Sequence, residues 1–186
     1  MMEQNNIVAQ GGISGEVQAN QPGQDLVDSA NAKTEQFITF TIGDEEYGVD
    51  IMAVREIKGW IDTTILPNTP KYMRGVLNLR GVIVPIFDLR CRFGLGLTDA
   101  TTLHVVVIIA ISDRMIGILV DAVSDILSVS TADIRNVPKM DLQIDDQFLS
   151  GLVTVDERMV ALLDANVLFS ADILEDSQQA IASNNS

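Results

Sequence analysis

Histidine, cysteine and tryptophan occur once each in the 186 residues, and aromatic side chains make up 5% of the chain. With Cys91 alone, an intrachain disulfide and most cysteine-based metal sites are excluded. The single histidine, His104, lies in an apolar stretch. A Ser-His-Asp or Cys-His arrangement would need that ring in a cleft beside its nucleophile, and ordinary strand packing accounts for it better. Neither a Walker loop nor a G-x-G-x-x-G fingerprint occurs. "GLGLTD" (94–99) has two glycines but no lysine. Basic residues are few: 12 Lys and Arg face 26 Asp and Glu, a net charge of −14. Nucleic-acid binding depends on Lys and Arg neutralising phosphates, so nucleic acid is not expected as a partner. Long apolar runs are missing too. The longest, "LHVVVIIAI" (103–111), is well short of the roughly 20 residues a membrane helix needs. The N-terminus "MMEQNNIVAQGG" lacks the basic and apolar regions of a secretory signal. A cytoplasmic protein with no cofactor and no membrane insertion is the expectation.

What the chain does have is a 47% hydrophobic composition carried by Val, Ile and Leu, and an internal repeat. Residues 37–93 and 103–169 read as two copies of one module. Gly48 matches Gly117, Val54 matches Val123 and Ile57 matches Ile126, all 69 positions apart. Farther on, Gly75 meets Gly151, Asp88 meets Asp164 and Phe93 meets Phe169, all 76 apart. "MDLQIDD" (140–146) supplies the extra length. Glycine on glycine and apolar on apolar at a fixed offset marks one supersecondary unit used twice.

Ile38, Phe40 and Ile42 alternate with threonines, the period of a half-buried strand. "GDEE" turns it into a hairpin with "YGV". Asp50 suits the cap of a short helical turn before a strand from about residue 54. Asn78 and Gly81 suit the first and fourth positions of a type I turn between strands 75–77 and 82–89. Residues 82–87 are apolar on both faces, so that strand reads as sandwiched, and Pro85 marks an edge or a bulge. The second module repeats the pattern at 103–111, 115–120 and 123–129, with a later hairpin turning at Asp156-Glu157. Many short strands and turns argue for an all-β fold, with two small barrels packed on each other. Residues 1–35 and 175–186 read as disordered tails around a folded part at 36–174, within which Asp164 caps a short helix.

Charge is uneven. Lys71, Arg74, Arg80, Arg90 and Arg92 gather around one hairpin of the first module, a patch that could orient a protein partner. Cys91, between Arg90 and Arg92, has neighbours that could lower its pKa, but a buried or idle thiol accounts for it better. The carboxylate pairs Glu45/Glu46 and Asp145/Asp146 fall in turns, where solvation explains them better than acid/base catalysis. Binding through surface and sheet edges is the remaining class of function.

The stretches "FTIGDEEYGVDI" (40–51), "NLRGVIVPIFDLR" (78–90) and "GILVDAVSDIL" (117–127) resemble the CheW-type chemotaxis coupling proteins, from about Phe37 to Phe169. The resemblance implies two SH3-like five-stranded β-barrels related by a pseudo-twofold, with short helical segments and no catalysis. It implies an adaptor joining the cytoplasmic hairpin tips of chemoreceptors to the regulatory domain of a chemotaxis histidine kinase. Such an adaptor is a monomer in solution that assembles into arrays. A related array with a non-motility output and a detached kinase regulatory domain remain alternatives. Carried over by position, the receptor-binding residues are Val54, Glu56, Arg80, Gly81, Val105 and Gly117, with an ion pair expected between Arg80 and Glu56. The kinase-binding residues are Arg135, Lys139 and Met140, where Met140 replaces a larger apolar residue.

Overall fold

The computed structural model describes residues 33–138 and 144–183. Ten strands form two five-stranded sheets. They are β1 (Thr34–Ile42), β2 (Glu45–Asp50), β3 (Val54–Gly59), β4 (Met73–Leu79), β5 (Val82–Asp88), β6 (Val105–Ile111), β7 (Arg114–Val120), β8 (Ala122–Ser130), β9 (Leu149–Val155) and β10 (Arg158–Leu163). Among the described residues, three α-helices accompany the strands: α1 (Leu89–Arg92), α2 (Ala165–Leu168) and α3 (Ala171–Ser183). The all-β reading holds, and the two sheets form the SH3-like barrels.

The barrels do not coincide with the two sequence modules. One sheet runs β8-β1-β2-β10-β9 and the other β3-β6-β7-β5-β4. Each module places its first hairpin in one barrel and its last three strands in the other. The connections dictate this exchange. Only the 3₁₀ turn Ile51–Ala53, capped by the Asp50 carboxylate, separates β2 from β3. Asp121 alone separates β7 from β8. At about 3.3–3.6 Å per residue such links cannot return a strand to its own sheet, so the chain crosses into the neighbour.

The repeat is visible in the register. Gly48 of β2 pairs in parallel with Leu162 of β10, and Gly117 of β7 pairs in parallel with Ile86 of β5. These pairs are related by the same offsets of 69 and 76. Each barrel then closes by one two-residue bridge. After β3, Thr64 exchanges backbone hydrogen bonds with Val76 of β4; after β8, Arg135 does so with Leu152 of β9. The barrel holding β3–β7 is called barrel 1 below, and its pseudo-twofold mate barrel 2.

Strand alternation separates three apolar clusters. In β6, Val106 and Ile108 face the interior of barrel 1 with Val84, Ile86 and Leu119. Val107, Ile109 and Ile111 face the opposite way, into a layer shared by both barrels. This is why "VVVIIAI" is apolar throughout: both of its faces are covered. The interior of barrel 2 is smaller, built from Phe37, Val129, Val153, Val160 and Leu162. The shared layer carries most of the rings. Phe87 and Phe169 lie 5.0 Å apart, and Tyr47 and Phe93 5.3 Å. Burial, with Glu45 adding to it, pushes the Tyr47 hydroxyl up from 10.0 to about 12. A raised acid favours the neutral form in the folded state. Its contribution is therefore complete below pH 10 and is lost as pH rises to about 12. Urea midpoints should fall over that window, and a Tyr47→Phe variant should show a smaller fall.

Several expectations need correction. The "NLRG" turn is a two-residue loop between Leu79 and Val82, with Arg80 at φ 53° and Gly81 at φ 91°. Positive φ at both central positions makes it a type I′ turn, whose twist matches the strands. Its mate at Asp156 (φ 46°) and Glu157 (φ 66°) has the same form. Val82 and Ile83 are exposed, so only the second half of β5 is sandwiched. Pro85 immediately precedes the parallel ladder with β7, which covers only Ile86–Asp88, so its missing N–H costs no bond there. Residues 175–183, read as tail, belong to α3; Ile173, Ala180 and Ile181 pack on the shared layer. The strand β1 begins at Thr34, inside the stretch 1–35 read as tail; residues 1–32 lie outside the described residues.

Candidate functional site

The basic hairpin is not a basic patch. Arg74 donates to the Asp88 carboxylate at 3.1 Å and to the Thr98 carbonyl at 2.6 Å, and lies 5.4 Å over the Trp60 ring. Arg90 pairs with Asp121 at 2.7 Å. Arg92 stacks on Tyr72 and Phe148 at 5.1 and 4.8 Å and donates to the Leu168 carbonyl. These three guanidiniums hold the fold together. Sequence spacing brought them to one hairpin but could not show that they turn inward. Of the five cationic residues named at this hairpin, Lys71 and Arg80 are the exposed ones.

Arg80 crowns the β4–β5 hairpin with its side chain 86% exposed, and the Asn78 side-chain carbonyl fixes the turn by accepting from the Gly81 N–H at 2.7 Å. Its guanidinium lies 3.7 Å from the Glu56 carboxylate on β3, so the expected ion pair forms. Such an exposed pair is worth about 0–1 kcal/mol, and its effect is to orient the two charges. Val82 and Ile83 beyond the tip are 46% and 42% exposed, and Ile57 on β3 is 43% exposed. These three apolar residues were not singled out by sequence. The signal was present in β5, where Val82 and Ile83 directly follow a tight polar turn, but periodicity alone assigned them to the interior.

The other carried-over residues do not gather there. Val54 pairs with Ile109 and Val105 with Gly59, at opposite ends of one ladder. Four residues of strand put them about 13 Å apart. Both are half-buried against the shared layer. Gly117 is buried in barrel 1, where an added Cβ would run into Ile86, Val106 and Ile108. It serves packing and is not on a contact surface. Arg135 is exposed beside the closing bridge of barrel 2 and lines a shallow cavity of about 260 Å³ with Ser128, Asp133 and Thr154. Lys139 and Met140 lie outside the described residues.

His104 precedes β6; its Nδ1 accepts from the Thr101 N–H at 3.0 Å, and Nε2 is 3.8 Å from Asp121. Burial, with Asp88 adding, pushes the Cys91 thiol up; Lys71 and Arg74 only partly offset this. The activated thiolate that its arginine neighbours would favour does not result.

Two barrels presenting a charged hairpin tip, exposed strand edges and shallow cavities define a scaffold, a protein that works by contact. Residues 36–172 match the CheW-like domain. The chain is 43% identical to the probable chemotaxis protein CheW of Rhizobium etli over 77% of this chain and 93% of that one. It is 40% identical to the chemotaxis protein CheW of Rhizobium meliloti, over 74% and 88%. The crystal structure of the scaffolding protein TtCheW from Thermoanaerobacter tengcongensis matches with a TM-score of 0.69 at 30% identity, covering 76% of this chain and 91% of that one. The chain belongs to the CheW-like family of chemotaxis scaffold proteins, which are not enzymes. Among the described residues, no helix is long and apolar enough to cross a membrane.

Proposed function

We propose that this scaffold couples the cytoplasmic hairpin tips of chemoreceptors to the regulatory domain of a chemotaxis histidine kinase, as a cytoplasmic protein recruited to membrane-associated arrays. The observation that carries this reading is the Arg80–Glu56 pair at 3.7 Å on an exposed hairpin tip, flanked by exposed Ile57, Val82 and Ile83. A charged pair on a hairpin that also exposes apolar side chains suits an amphipathic helical partner: exposed apolar residues take its apolar face and the pair sets its register. Val54 and Val105 would extend the contact along β3 and β6, and Arg135 with Lys139 and Met140 would serve the kinase at barrel 2. A related array with an output other than motility uses the same surfaces and differs only in its partners.

Arg80→Glu places a second carboxylate beside Glu56. Co-sedimentation with receptor signalling fragments should weaken by about tenfold or more, since opposed like charges cost several kcal/mol at an interface. The melting temperature should move by less than about 3 °C, as for other exposed substitutions. Unchanged co-sedimentation refutes this site. Failure of the unaltered chain to join receptor or kinase refutes the coupling role.

A further inference from the structure

Barrel 2 has a pocket of about 320 Å³ at the position where barrel 1 is plugged. Its walls are Phe37, Val49, Ile111 and Leu162, all buried, and its rim carries Asp164, Asp50 and Glu35. In barrel 1 the mate of Asp164 is Asp88, 76 residues earlier. There the Arg74 guanidinium reaches the Asp88 carboxylate at 3.1 Å, with Trp60 beneath it and Thr98 closing over it. The mate of Arg74 is Ser150, which lines the pocket and donates to the Leu162 carbonyl instead. Two further basic groups near that plug, Arg90 and His104, face Asp121; at the same offsets Asn166, Glu35 and Met52 replace Arg90, His104 and Asp121. Thus the carboxylate of the plug is kept and the arginine that pairs with it is removed. Asp164 accepts from the Asn166 and Val167 N–H groups, and among the described residues neither it nor Asp50 has a cationic partner.

We propose that this pocket binds a guanidinium group supplied from outside, as Arg74 supplies one from within in barrel 1. The internal copy fixes the chemistry. A planar cation meets the carboxylate through charge-assisted hydrogen bonds, and its stem lies against the apolar walls. Two sources carry this group: free arginine, or an arginyl side chain of a polypeptide. The site is independent of the coupling role and is tested on the isolated chain.

The test is NMR titration of the full chain with L-arginine, with its neutral isostere L-citrulline, and with a capped Gly-Arg-Gly peptide. Arginine should shift the Phe37, Val49, Ile111 and Leu162 resonances saturably, and citrulline should not. Asp164→Asn keeps a good helix cap but removes the charge. It should weaken arginine binding at least about tenfold, the loss expected for one charge-assisted hydrogen bond. Ser150→Arg should fill the pocket and abolish binding. Peptide binding as tight as that of arginine assigns the group to a polypeptide, and preference for arginine assigns it to a solute; either supports the proposal. Equal shifts from citrulline, undiminished binding by either variant, or no saturable shift with arginine overturns it.

Discussion

Asp88→Ala should lower the unfolding free energy by about 3–5 kcal/mol, the range for breaking a buried ion pair from one side. The Asp88 side chain is fully buried and accepts four hydrogen bonds: from Arg74, from the Thr98 N–H and hydroxyl, and from the Cys91 N–H. It holds strand β4, the start of α1 and the 94–102 connection at one point. Removing it strands the Arg74 guanidinium and leaves two backbone donors unpaired in the interior, each costing about 1–3 kcal/mol. Some of this returns as the chain relaxes and water enters. For a domain stable by about 5–15 kcal/mol the remainder is a large fraction. Asp164→Ala is the internal control. Its half-buried carboxylate caps α2 through two N–H groups, so its loss should cost about 1 kcal/mol. Urea unfolding of the two variants gives the comparison, and equal losses would show that Arg74 and Thr98 contribute little.

The same pair shows how far the sequence could be read. That Asp88 and Asp164 are equivalent followed from the 76-residue offset, and the matching of Gly48 with Gly117 from the 69-residue offset; both offsets recur in the hydrogen-bond register. A repeat records which residues share an environment. It does not record which strand sits beside which, because apolar alternation is the same whether a hairpin pairs within its module or with the other copy. The strand exchange was therefore not legible, although the short links at Ile51–Ala53 and Asp121 hinted at it. Helix α3 was missed for a compositional reason. Its packed stripe is half-buried Ile173, Ala180 and Ile181 with buried Ser177, at helical spacing, but Ser177 interrupts the apolar pattern and the flanking Gln and Asn residues resemble a solvated tail. Ser177 is 2% exposed, so that stripe is covered in the fold. At the candidate site, the ion pair of Arg80 with Glu56 was foreseen through the family resemblance. The inward course of Arg74, Arg90 and Arg92 was not, since their acceptors lie between 14 and 76 residues away.

Gly75→Ala should destabilise the chain on the order of 4 kcal/mol and should do so by opening barrel 1. Gly75 has φ +123°, a backbone state that a side chain occupies at a cost of about 1–3 kcal/mol. An added Cβ would also run into the Thr64 carbonyl group. Backbone cannot step aside as the end of a flexible side chain can, so overpacking adds about 1–3 kcal/mol. The atoms it strikes belong to the bridge in which Thr64 and Val76 exchange hydrogen bonds of 3.0 and 2.9 Å, the link that closes the sheet after β3. Relief of the clash therefore requires that bridge to part, which frees the β4 edge and exposes an unpaired row of donors and acceptors. Gly151→Ala again supplies the control. No positive φ is involved, and the new methyl group would press chiefly on the Ile134 side chain, with the Arg135 carbonyl at 3.2 Å. Because a side chain can rotate, a loss of about 1–2 kcal/mol is expected there. Hydrogen exchange distinguishes the two mechanisms. In Gly75→Ala, protection should fall first at the Thr64 and Val76 amides, ahead of the rest of barrel 1. Uniform loss across both barrels would instead mean that the glycine matters only for global stability, and that closure of barrel 1 does not depend on it.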